Sequence, residues 1–182
     1  MKIQTAQLQK TTQIRQIKLG TGRELAENLQ LHRWDYIIAG DGSATRIETP
    51  AGYGSILYAR NDNSLKKFFG GLSHGTNNMA EMLAVLAPLL YLDHVLPAKK
   101  EKPIVYALSD SEYVVKIGNG EAKPKSNLAL WHSIENVKTR VNLIFIHVNR
   151  MLLPANVFGD LTGNLIRKDF ETLTKLLNAH DE

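Results

Sequence analysis

The sequence contains no cysteine. That excludes disulfides and thiolate metal sites, and it is compatible with a reducing, cytoplasmic setting. No apolar run reaches the roughly 18 residues that a membrane-spanning helix needs, so no membrane partner is expected. The opening residues, Met1-Lys2-Ile3-Gln4-Thr5, lack the apolar centre of a signal peptide. Internal repeats and low-complexity tracts are absent too. Neither charge dominates: 22 basic residues face 18 acidic ones, for a net charge of +4. Such a mild excess permits a polyanionic partner without requiring one.

What is present is ordinary for a soluble globular chain of 182 residues, with 43% hydrophobic and 22% charged residues. That length suits one domain with an appendage, large enough to bury a core without staples. Residues 1–33 are polar and rich in Gln and Thr. Lys2, Lys10, Arg15, Lys18, Arg23 and Arg33 outnumber Glu24 and Glu27 there. This stretch reads as an N-terminal extension, and a basic arm touching nucleic acid or a protein is its sharper interpretation. From Trp34 the character changes, and 34–182 reads as the main domain.

Tyr36 to Ala39 form an apolar strand that delivers Asp41 at or near its end, followed by Gly42 and Ser43. Small residues there leave room for a ligand to approach the backbone. A loop with Pro50 and Gly52 leads to a second strand, Tyr53–Ala59. The turn cluster Asn61-Asp62-Asn63-Ser64 leads to a third, Leu65–Gly70. Short turns between three strands predict an antiparallel meander. Thr76, Asn77 and Asn78 are N-cap candidates for a helix whose apolar face is marked by Met79, Leu83, Leu86 and Leu90. Glu81 falls in its first turn, and Pro88 should kink it or end it near Ala87. Pro103–Leu108 is an apolar interior strand ending in Ser109-Asp110-Ser111, with a short helix Glu112–Ile117 after it. A helix from about Asn127 carries Leu128, Trp131, Ile134 and Val137 on one face. Asn142–Val148 is a fifth strand, and a last helix starts near Asn156. The order predicts an α/β fold, a five-stranded mixed sheet of meander plus parallel strands, with helices on both faces.

Four carboxylates stand at comparable places. Asp41 and Asp110 follow apolar strands; Glu81 and Asp160 lie in early turns of helices. Short loops in a compact sheet let these ends converge. Four such groups side by side call for a cation. Oxygen-only ligation without His or Cys suits Mg²⁺ or Mn²⁺. Two ions about 3.5–4 Å apart are a device for in-line phosphoryl displacement. The residues alone therefore point to a metal-dependent phosphodiester hydrolase.

The motifs Tyr36-Ile37-Ile38-Ala39-Gly40-Asp41-Gly42-Ser43, Gly52-Tyr53-Gly54, Thr76-Asn77-Asn78-Met79-Ala80-Glu81, Ser109-Asp110-Ser111-Glu112-Tyr113-Val114, Asn127-Leu128-Ala129-Leu130-Trp131 and Asn156-Val157-Phe158-Gly159-Asp160-Leu161-Thr162-Gly163-Asn164 stand in this order. Over roughly residues 34–178 the chain thereby resembles type I ribonuclease H, which cuts the RNA strand of RNA–DNA hybrids. The resemblance implies an RNase H-like fold and two Mg²⁺ ions, with Mn²⁺ as an alternative. It implies that Asp41, Glu81, Asp110 and Asp160 hold the metal and that Asp41 bridges both ions. Glu81 would lie near the ribose 2′-hydroxyl. Asn77 and Asn78 match residues that read the minor groove of the hybrid, and Thr76 matches a DNA-phosphate contact. Gly42 and Ser43 join the substrate contacts. No organic cofactor and a monomeric state are expected.

The chain departs from the family in two places. Where the family often has a loop His before the last helix, Arg150 stands here; it cannot act as a base at neutral pH but can hold a phosphate. His147 is expected on the fifth strand in a structural role. The basic, Trp-rich handle of larger bacterial members is replaced by Gly118–Ser126, with Lys116, Lys123 and Lys125 as the nearest substitutes. Two other readings share the fold: a nucleic-acid-binding module that no longer cuts, and a DNA-cutting nuclease. Metal-dependent activity separates the first, and preference for hybrid over duplex DNA the second.

Overall fold

A computed structural model describes residues 32–45, 49–97 and 101–149. The helix expected from Asn156, together with Asp160, Arg150 and residues 1–31, lies outside the described residues. Strand β1 spans Tyr36–Ala44, β2 Thr49–Ala59 and β3 Ser64–Gly75; helix α1 spans Asn77–Val95. Then come β4 (Ile104–Ser109), α2 (Glu112–Gly118), α3 (Leu128–Lys138) and β5 (Asn142–His147). The strands form one sheet in the order β3-β2-β1-β4-β5. The β1–β2 and β2–β3 pairs are antiparallel; β1–β4 and β4–β5 are parallel. This is the predicted mixed sheet, a meander extended by strands reached through helices.

The strands run further than the sequence suggests. β1 does not stop at Asp41: Gly42 pairs with Tyr53, Ser43 with Gly52 and Ala44 with Ala51. Asp41 is thus an interior residue of the central strand, and Pro50 and Gly52 belong to β2 rather than to a loop. Close pairing explains both. At Gly40, a Cβ would stand 2.4 Å from Ser55 Cβ, so glycine lets β2 lie flush against β1 there.

Helix α1 also passes through Pro88 without ending. Pro88 cannot donate to the carbonyl one turn back, at a cost of about 3 kcal/mol. Met82, Val85, Leu86, Leu89 and Leu92 are buried on the same helix. Each such side chain gains about 1.5–3 kcal/mol by leaving water, so packing outweighs the lost bond. The buried stripe is also rotated from the predicted one. Of Met79, Leu83, Leu86 and Leu90 only Leu86 is fully buried, and Leu90 is 49% exposed. The helix is apolar around most of its circumference, so spacing admits more than one stripe; Ala80 and Ala84, small enough for close approach, decide which one meets the sheet. Similarly α3 buries Trp131, Ile134 and Val137 but leaves Leu128 outside.

One sheet face, with Ile38, Leu57, Val105, Ala107 and Phe145, packs against all three described helices in a single apolar cluster. Trp131 belongs to it as predicted, its ring edge-on to Tyr113 at 6.1 Å. The opposite face buries Ala39, Tyr106, Leu108, Ile144 and Ile146. Arg140, just past α3, ties the two helix ends together by donating to the Asp93 and Leu96 carbonyls at the end of α1. Among the described residues no helix is long and apolar enough to cross a membrane.

Candidate metal centre

Three elements deliver three carboxylates. Asp41 stands in the middle of β1 and is 1% exposed. In the parallel β1–β4 pair, Ala39 lies opposite Leu108. Two residues beyond that pair stand Asp41, still on β1, and Asp110, just past β4, so the parallel pairing carries both to the same end of the sheet. Asp110 is the first residue past β4, half-buried, and Ser111 immediately N-caps α2.

Glu81 arrives from the helix layer. Thr76 caps α1, its Oγ1 accepting from Met79 N–H at 3.2 Å. Glu81 is therefore the fifth helical residue, in the second turn rather than the first. It is 5% exposed, so it does not act as a solvated partner of the helix dipole. What lets it reach Asp41 is Gly42: a Cβ there would stand 2.2 Å from Glu81 N and 2.3 Å from Ala80 C. The room that the sequence suggested for a ligand is filled, on this side of Gly42, by the backbone of α1.

One ligand atom from each of Asp41, Glu81 and Asp110 lies within 4.8 Å of the others. Each residue is also held in place. Asp41 Oδ1 accepts from Gly42 N–H at 2.8 Å. Asn77 Nδ2 donates to Glu81 Oε1 at 3.4 Å while Asn77 Oδ1 accepts from Ala44 N–H at 3.3 Å. The Asp110 carbonyl oxygen is 3.1 Å from His147 Nε2. Clustering three carboxylates at this distance costs Coulomb energy that a cation offsets. The donors are all hard oxygens, which fits Mg²⁺ or Mn²⁺ and not a soft metal.

Of the residues singled out in the sequence, Asp41, Glu81 and Asp110 come together, while Asp160 and Arg150 lie outside the described residues. Ser43 is half-buried in β1 opposite Gly52; Asn78 is exposed in the first turn of α1. Thr76 serves as the cap, and Asn77 links the end of β1 to Glu81. That link was open to sequence reasoning, because residues four apart on a helix are neighbours. The His147–Asp110 contact was not, since 37 positions separate the partners.

This sheet order and site define a fold class met in solved structures. The N-terminal RNase H domain of Rv2228c from Mycobacterium tuberculosis matches with a TM-score of 0.64 at 21% identity, covering 78% of this chain and 99% of that one. LC11-RNase H1, solved in complex with an RNA/DNA hybrid, matches with a TM-score of 0.60 at 28% identity, covering 71% of this chain and 94% of that one. In sequence, the ribonuclease H of Cupriavidus metallidurans is 30% identical over 114 residues, 56% of this chain and 72% of the relative. The ribonuclease H of Aromatoleum aromaticum is 30% identical over 122 residues, 59% of this chain and 73% of the relative. The RNase H family model matches residues 33–153. The chain belongs to the RNase H family.

Proposed function

We propose that this chain is a metal-dependent endoribonuclease that hydrolyses the RNA strand of RNA–DNA hybrids, leaving a 3′-hydroxyl and a 5′-phosphate. The observation that carries the reading is the convergence of Asp41, Glu81 and Asp110 within 4.8 Å on the fold of this family. The hybrid bound to LC11-RNase H1 supports the choice of substrate.

Asp41, Glu81, Asp110 and Asp160 would hold two divalent ions, Mg²⁺ or Mn²⁺. Once bound, such ions supply an activated water and neutralise charge at the scissile phosphate. The chain's own residues do the rest. Glu81 accepts a hydrogen bond from the ribose 2′-hydroxyl, the group that DNA lacks. Asn77 and Asn78, in the first turn of α1, meet the minor groove; Thr76 and Arg150 meet phosphates; Gly42 and Ser43 line the approach. Residues 34–182 act as the catalytic domain, with 1–33 as an extension that adds positive charge. A monomer in the cytoplasm without an organic cofactor completes the reading. Phosphate contacts should dominate affinity, so binding weakens with salt.

The test is cleavage of a labelled RNA–DNA hybrid, with and without Mg²⁺, beside single-stranded RNA, duplex RNA and duplex DNA. Metal-dependent cutting of the hybrid's RNA strand alone supports the reading. No cutting in Mg²⁺ or Mn²⁺ replaces it with a binding module, and cutting of duplex DNA with a different nuclease.

A further inference from the structure

His147 ends β5 opposite Ser109 in the parallel β4–β5 register. One residue on, the Val148 N–H donates to Ser109 O at 3.0 Å. The imidazole of His147 extends this pairing past the end of the strand: its Nε2 lies 3.1 Å from the Asp110 carbonyl oxygen. A carbonyl oxygen can only accept, so Nε2 carries the hydrogen and donates. The same peptide group is fixed from its N–H side. Ser111 N–H donates to Ser109 Oγ at 3.1 Å, and Ser111 Oγ accepts from Val114 N–H at 3.4 Å to cap α2. Asp110 is therefore clamped between β5 and the start of α2. With its backbone held, only two side-chain torsions separate its carboxylate from a single direction.

We propose that His147 is a positioning residue: its Nε2–H holds the Asp110 peptide so that the carboxylate faces Asp41 and Glu81 in a geometry ready for a divalent cation. The inference rests on the reading of this cluster as a cation site. It assigns His147 no proton transfer and no direct metal bond. Outer partners that orient a ligand typically change metal affinity 10–100-fold when removed, although they never touch the ion. Here the partner holds the ligand's backbone, so the lower end of that range is expected.

The experiment is titration of the full chain with MnCl₂ alone, without nucleic acid, by calorimetry. Wild type, His147→Ala and His147→Gln are compared, and each is melted in chelator to check folding. Gln places an N–H donor near the position of Nε2. Binding about tenfold weaker in His147→Ala, with His147→Gln close to wild type and similar melting points, is the expected result. Wild-type affinity in His147→Ala overturns the role, as does equal weakening in both variants, which would mark a packing effect. Absence of Mn²⁺ binding by the wild type overturns the cation reading and this role together; in the first two outcomes the wild type still binds.

Discussion

Gly42 and Glu81 are in backbone contact: a Cβ on Gly42 would stand 2.2 Å from the Glu81 nitrogen. Backbone cannot swing aside as a flexible side chain would. Gly42→Ala should therefore push α1 away from β1 and carry Glu81 out of the cluster. We expect a loss of about 1–3 kcal/mol in stability from overpacking, read from urea unfolding. Hybrid cleavage should fall at least about tenfold even at temperatures where the variant is folded, since a misplacement near 1 Å can cost up to about a hundredfold. Wild-type cleavage by a folded Gly42→Ala protein would show that Glu81 need not sit this close to Asp41.

Asp110→Asn keeps the shape of the side chain and removes one of three clustered charges. Cleavage should drop by about a hundredfold or more, as expected when several kcal/mol of transition-state stabilisation are lost. Stability in chelator should hold or rise, by about 1 kcal/mol if the charges are screened as in bulk water. Paired activity and melting measurements check both signs. A variant that melts far below wild type would show that Asp110 supports the fold.

Ser55 is fully buried on β2, and among the described residues its hydroxyl finds no hydrogen-bond partner. Burying that group unsatisfied costs about 1–3 kcal/mol, whereas alanine removes the cost and leaves almost no void. Ser55→Ala should raise the urea midpoint by the equivalent of about 1 kcal/mol. A lower midpoint would count against this account of the site beneath Gly40.

Burial raises the pKa of Tyr36, Tyr53 and Tyr106 above the ordinary 10.0, with the nearby Asp35 and Asp62 carboxylates adding to the effect at Tyr36. The folded state thus keeps these phenolic protons where the unfolded chain loses them. Their contribution is complete below about pH 10 and disappears as pH climbs through the raised folded values, so stability falls with alkali. Melting temperature followed from pH 8 to pH 12 (about two units to each side of the tyrosine value) should show the decline. Tyr106→Phe, which also forgoes a 3.4 Å bond to the Arg33 carbonyl, should flatten its slope.

The ends of strands and the start of helices made Asp41, Glu81 and Asp110 visible in the sequence, because apolar runs and a Thr-Asn-Asn cap are local signals. The mixed sheet, a meander plus parallel strands, followed from the same signals. The misreadings share a cause, which is that tertiary contacts override local grammar. Asp41 looks like the end of its strand, but β2 pairs alongside Gly42, Ser43 and Ala44 and the strand continues. Pro88 looks like a stop, but the core on both sides of it holds the helix. The reason for Gly42 is a neighbour 39 positions away, and no periodicity announces that.

The parallel pairing of β1 with β4 has a kinetic consequence. The meander and α1 can form from nearby contacts, but Asp110 joins Asp41 only after strands about 70 residues apart have met, as the Asp35–Ile104 contact, 69 positions apart, illustrates. Contacts of that separation form late, because loop closure must come first. A chain caught midway through folding thus holds two of the three clustered carboxylates in place and has no complete site. A cation held by all three would have nothing to grip until that long-range pairing is made; it would act as a latch on the finished molecule, slowing its unfolding without hastening its folding.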